Sequence, residues 1–86
     1  PTPTADQFHL SIFNACNNDV TVEVGAQAGS GRKIHLFRAA RETITGGREL
    51  VFLLGKDGEV LATYQPIEGH QRAQVTSDCT AIEREG

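Results

Sequence analysis

The amino-acid sequence predicts an all-β fold, namely a small antiparallel β-sandwich of immunoglobulin-like or other Greek-key type, with about six to seven strands and one disulfide. Short runs of β-branched and aromatic residues alternate with polar residues along most of the chain. Turn-forming residues separate these runs at intervals of about 8–12 residues, as they do in sandwiches and barrels. The 86 residues support one domain of this kind.

Six runs carry the strand signal. The first places Phe8, Leu10 and Ile12 on one face, and the second does the same with three valines. The run at 49–54 is apolar on both faces, which is typical of a strand in the centre of a sheet. The predicted strand segments are 8–13, 19–25, 33–37, 49–54, 59–65 and 72–79.

Glycine, asparagine and aspartate lie between these runs and favour tight turns. Segment 38–43 (RAARET) contains helix-favouring residues, but only Phe37 and Ile44 flank it with apolar side chains. No apolar stripe therefore exists that a helix would bury, and the segment is predicted to form a single turn or a short edge strand. The predicted turn segments are 17–19, 28–31, 46–47, 55–58 and 66–69.

The expected domain organisation is a flexible lead-in at 1–7, a single sandwich domain at 8–82 and a C-terminal tail at 83–86. The lead-in (PTPTADQ) has the composition common just after a signal-peptide site, so removal of a signal peptide is expected. No apolar stretch approaches the roughly 20 residues of a membrane span, and none is expected.

The composition excludes some classes of function. The formal net charge of −3 argues against general binding of nucleic acid, which usually requires a basic surface. A chain of this size has a thin core, so a large internal ligand cavity is not expected. The charge is uneven, because residues 32–48 are rich in Arg and Lys while residues 57–86 are rich in Asp and Glu. Such asymmetry orients a charged partner, or the two signs pair within the fold.

Cys16 and Cys79 are the two cysteines of the chain. If each continues its strand, Cys16 shares the face of Ile12 and Cys79 shares the face of Val75, so both point inwards. A disulfide between them is the favoured interpretation, and unpaired buried thiols or a metal or catalytic role are the alternatives. A disulfide implies an oxidising compartment, which means a secreted or periplasmic protein.

No residue pattern predicts catalysis, a cofactor or a metal site, and the protein is expected not to be an enzyme. The three histidines, His9, His35 and His70, lack the close spacing of metal ligands. Ser11 lies two residues from His9 on one strand face, which leaves a small hydrolase as a third hypothesis. No acidic residue is placed to orient that histidine, and no Gly-x-Ser-x-Gly turn is present.

The segment FHLSIFNACNNDVTVEVG (8–25) resembles the opening of thaumatin-like proteins, in which a strand ending in an Asn-x-Cys-type segment turns into a valine-rich strand. In that family the early cysteine pairs with one near the C-terminus, and the resemblance implies the same for Cys16 and Cys79. The segment ETITGGRELVFLL (42–54) resembles the glycine-turn-strand pattern of immunoglobulin-like domains. Neither resemblance implies a function.

The most favoured function is a non-enzymatic binding domain that recognises another protein, as an inhibitor or recognition module does. Arg38, Arg41 and Arg48 are the candidate partner-binding residues, expected to form a basic rim on loops at one end of the sandwich. The alternative is an accessory or assembly subunit of a cell-envelope complex, in which an edge strand pairs with a strand of the partner.

Overall fold

The computed structural model describes residues 5–85, and these residues form eight β-strands and no helix. The predicted all-β sandwich is confirmed, with eight strands instead of six or seven. No helix in the described residues is long and apolar enough to cross a bilayer. The strands are β1 (Phe8–Asn14), β2 (Val20–Gly25), β3 (Arg32–Leu36), β4 (Arg41–Gly46), β5 (Leu50–Leu54), β6 (Val60–Tyr64), β7 (Gly69–Val75) and β8 (Ile82–Arg84).

The strands form two four-stranded sheets. Sheet A has the order β4-β1-β7-β8, and sheet B has the order β3-β2-β5-β6. All neighbouring strands are antiparallel except β1 and β7, which run parallel with Phe8 opposite Gly69 and Asn14 opposite Val75. Arg32 of β3 donates a hydrogen bond to the backbone oxygen of Thr45 in β4, which ties the two sheets together along one edge.

The core lies between the two sheets and is built by strand alternation. The inward residues of β1, Phe8, Leu10 and Ile12, are completely buried. They pack with valines of β2 and with the inward residues of β5 and β7. As predicted, β5 is a central strand with apolar residues on both faces. Its outward side chains form a second buried cluster of Leu50, Phe52 and Leu54.

Two strands, β4 and β8, lie outside the six predicted strand segments. Segment 38–43 divides into a turn and the start of β4, which is an edge strand of sheet A and agrees with the expected short edge strand. β8 has only three residues and no apolar alternation, so no sequence pattern marked it; it forms because it pairs with the end of β7.

The packed part of the chain extends beyond the expected domain limits of 8–82. Ala5 is 5% exposed and belongs to the core, and its backbone oxygen accepts a hydrogen bond from the amide of Arg48. At the other end, the Glu85 amide donates to the backbone oxygen of Arg72. Residues 1–4 of the expected lead-in and residue 86 lie outside the described residues.

Candidate functional site

A disulfide joins Cys16 and Cys79, as predicted, with the two Cα atoms 5.2 Å apart. β1 and β7 are parallel neighbours, so the segments that follow them leave the sheet side by side. Cys16 is buried, in agreement with its inward parity. The expected strand position of Cys79 is wrong, because β7 ends at Val75 and Cys79 lies in the following turn with a positive φ of 64°. The bond is compatible with an oxidising compartment.

Asn14 is hydrogen-bonded to the backbone of Cys16, next to the disulfide, and was not among the residues predicted to be functional. Its side chain is completely buried. The amide nitrogen Nδ2 donates to the backbone oxygens of Asn18 (2.8 Å) and Leu36 (3.1 Å), and Oδ1 accepts from the amide of Cys16 (2.9 Å). One side chain thus joins the end of β1 to the following loop and to the end of β3.

Four loops meet at the end of the sandwich that carries the disulfide, which we call the disulfide end. β1, β3, β5 and β7 all finish there, and β2, β4, β6 and β8 all begin there. The loops of the disulfide end are residues 15–19, 37–40, 55–59 and 76–81. Loops grouped on a rigid scaffold are the usual position of binding sites in β-sandwiches.

An open groove of about 540 Å³ lies at the disulfide end, between the loop at 15–19 and the loop at 55–59. Its volume is within the usual range for small-molecule sites, and its lining mixes apolar and polar residues. The apolar lining includes Val20, Leu54, Leu61 and Cys79, and the polar lining includes Asn18, Asp19 and Lys56. Leu61 is 43% exposed, so the groove offers an apolar surface that is accessible from solvent.

Hydrogen bonds position the carboxylate of Asp19 at this groove. Oδ1 accepts from the backbone amide of Arg38 (2.8 Å), and Oδ2 lies 3.3 Å from Nε2 of His35. These two contacts, the amide first, lower the pKa of Asp19 from its ordinary value. At the neighbouring loop, hydrogen bonds from the hydroxyl groups of Thr76 and Thr80 lower the pKa of Asp78.

We expect the disulfide end to lose stability in acid. Both aspartates have a lower pKa in the folded chain than in the unfolded chain, so their stabilising contribution is fully present above the ordinary pKa of about 3.9. It disappears as the pH falls through the folded-state values. A carboxyl-carbon NMR titration measures both groups, and an Asp19→Asn variant is the control because it removes one titration and leaves that of Asp78. A midpoint at or above the ordinary value for either group contradicts this expectation.

The structure separates the three arginines that were expected to form one basic rim. Arg38 lies in the loop at 37–40 of the disulfide end, and Arg41 begins β4 at the same end. Arg48 lies beyond the other end of β4, where Nε is 2.6 Å from Oδ1 of Asp6. Only Arg38 adjoins the groove, through the contact of its amide with Asp19. Partner binding by these arginines stays a prediction.

Arg41 extends across the outer face of sheet A. Nη1 donates to Oγ (3.0 Å) and to the backbone oxygen (3.2 Å) of Ser11, and Nη2 is 3.1 Å from Oε1 of Glu85. The other oxygen of Glu85 is 3.6 Å from Nε of Arg72, so one carboxylate lies between two guanidinium groups. The guanidinium of Arg41 also stacks 5.3 Å above the ring of Phe13.

Ser11 and His9 share the outer face of β1, as the alternation predicted, but each has another neighbour. The Ser11 hydroxyl accepts the hydrogen bond from Arg41, and the ring of His9 stacks on the ring of His70. A serine nucleophile needs a hydrogen bond to its base and an acid that orients the base. The contacts at Ser11 supply a guanidinium instead, which does not accept a proton.

Within residues 5–85, no group of three or more histidine, cysteine or acidic side chains is placed to hold a metal ion. No protein-family model, curated protein or solved structure matches the chain. The candidate functional site is therefore identified on geometry alone, as the groove at the disulfide end.

Proposed function

We propose that the protein is a non-enzymatic binding domain, secreted or periplasmic, which recognises another protein through its disulfide end. The observation that carries this proposal is the open groove beside the disulfide, with the exposed side chain of Leu61 in its lining. The disulfide supports the choice of compartment, because such bonds persist in oxidising surroundings.

The composition of the groove suits a protein partner. Leu61 provides exposed apolar area that a partner side chain can bury, and burial of such area is the main favourable contribution at protein interfaces. Asp19 and Lys56 carry opposite charges in the same lining, and such groups orient a partner and exclude others. The disulfide joins the loop at 15–19 to the loop at 76–81, and Asn14 connects the first of these loops to the end of β3, so little ordering of these two loops is required when the partner binds.

A second candidate function is an accessory or assembly subunit whose edge strand pairs with a strand of the partner. The observation in its favour is β6, an edge strand of sheet B on which Val60 and Leu61 are both 43% exposed. Strand addition uses the open backbone edge of such a strand, and exposed side chains like these can fit pockets of the partner.

We expect a photoreactive amino acid at position 61 to cross-link the partner from a native secreted or periplasmic extract. Ile67 is the matched control, because it is 44% exposed but lies in the connection between β6 and β7 at the other end of the molecule. A third variant carries the same group at position 60. Mass spectrometry of the adducts identifies what is bound.

A specific adduct from position 61 that is absent from position 67 supports the disulfide end. Adducts from position 60 without any from position 61 support strand pairing at β6 instead. Equal adducts from positions 61 and 67, or none from position 61, overturn the proposed groove.

A further inference from the structure

We propose that His9 and His70 together bind one divalent transition-metal ion on the outer face of sheet A, with Cu²⁺ bound most tightly. The two residues are direct neighbours in the parallel pairing of β1 and β7. Their ring centroids are 4.5 Å apart, and the ring planes differ by only 13°. Imidazole nitrogen is a preferred ligand of copper, nickel and zinc, and copper has the highest affinity in this series.

The spacing of the two rings suits a shared ion. Metal–nitrogen bonds of about 2.0–2.1 Å place two ligand nitrogens about 2.9–4.1 Å apart, for angles at the metal of about 90° to 180°. The two ring centroids are 4.5 Å apart, which is slightly more than this range of nitrogen–nitrogen distances, so the rings lie close enough for one nitrogen of each to come within it. The lone pairs of imidazole nitrogens lie in the plane of the ring, and the two ring planes are nearly parallel. Each ring therefore has to rotate before one nitrogen of each can point at a common metal ion.

No polar contact of the described residues fixes the orientation of either ring. Among residues 5–85, no hydrogen bond or ion pair engages a ring nitrogen of His9 or of His70. His70 is exposed and His9 is half-buried, so solvent and ions reach the pair. The third histidine differs, since Nε2 of His35 lies against the carboxylate of Asp19.

Glu68 and Arg72, the charged residues two positions from His70 along the chain, both contact other groups. Arg72, the next outward residue of β7, contacts the carboxylate of Glu85. Glu68 accepts hydrogen bonds from the backbone amides of Asp6 (2.8 Å) and Gln7 (3.4 Å). The protein therefore supplies two ligands, and the remaining positions on the ion are open to water or to another molecule. The backbone that carries both histidines is the centre of sheet A, which fixes their separation.

The test is Cu²⁺ titration of the tag-free, oxidised protein, followed by electron paramagnetic resonance and calorimetry. We expect one Cu²⁺ per chain, with hyperfine coupling to two imidazole nitrogens. His9→Gln and His70→Gln are each expected to bind roughly tenfold or more weakly, with one nitrogen coupled, because a second ligand held beside the first acts at high effective concentration. His35→Gln is the matched control and should bind as the unaltered protein does.

Coupling to two nitrogens in the unaltered protein supports the proposal without depending on how any variant folds. Coupling to one nitrogen or to none overturns it. Unchanged affinity in both the His9→Gln and the His70→Gln variants also overturns it, as does an equal loss in His35→Gln.

Discussion

Replacement of both cysteines, Cys16→Ala with Cys79→Ala, is expected to lower the free energy of unfolding by about 4 kcal/mol. The disulfide closes a loop with a sequence separation of 63, and such a link removes much of the conformational freedom of the unfolded chain. Single domains are stable by only about 5–15 kcal/mol, so the double variant should be close to unfolding at 37 °C. Urea denaturation followed by circular dichroism measures the change.

A matched control separates loss of the bond from disturbance of its loop. Ser77→Ala alters an exposed residue of the same loop at 76–81 and should change stability by less than about 0.5 kcal/mol. Reduction of the unaltered protein should reproduce most of the loss seen in the double variant. A loss below about 1 kcal/mol in the double variant would contradict the stabilisation expected from closing this loop.

Replacement of Asn14 by Ala is expected to lower the free energy of unfolding by about 3 kcal/mol, because buried groups that lose their hydrogen-bond partner cost roughly 1–3 kcal/mol each. The groups left behind are the backbone oxygen of Leu36 and the amide of Cys16, and both of these hydrogen bonds are buried. Urea denaturation at neutral pH measures this change too. Asn17→Ala is the control, since Asn17 is exposed in the same loop.

An isosteric variant distinguishes the hydrogen bonds of Asn14 from its packing. Asn14→Asp keeps the volume and an acceptor for the Cys16 amide, but it replaces the donor with a carboxylate that faces the backbone oxygens of Leu36 and Asn18. We expect it to be at least as destabilising as Asn14→Ala at neutral pH, because a buried charge lacks compensation there. Stability equal to that of the unaltered protein would show that the donor contacts are unimportant.

The alternation of apolar and polar residues along single strands could be predicted from the sequence. It identified the inward face of β1, the central position of β5 and the inward direction of Cys16, because each depends only on a residue's own strand. The same rule could also have identified Asn14 as a buried polar residue. It lies at an inward position after Ile12, and a polar residue there must be hydrogen-bonded within the core.

Features that depend on the pairing of strands distant in sequence could not be predicted from the sequence. The contact of His9 with His70 requires that β1 and β7 pair as parallel neighbours, and no local sequence pattern indicates this pairing. The turn that carries Cys79 begins where β7 stops pairing with β8, although the apparent alternation continues to Cys79. The distance between Arg41 and Arg48 likewise follows from the length of β4, whose residues did not show clear strand alternation.

The parallel pairing of β1 and β7 also affects when sheet A can be completed during synthesis. Sheet B is complete once Tyr64 is available, but β1 has no partner on one side until residues 69–75 have been made. Contacts between such distant segments form slowly, because the intervening chain must first be brought together. Within residues 5–85, β1 therefore gains its second neighbour only when β7 is available, so sheet A is completed only after all strands of sheet B have been made.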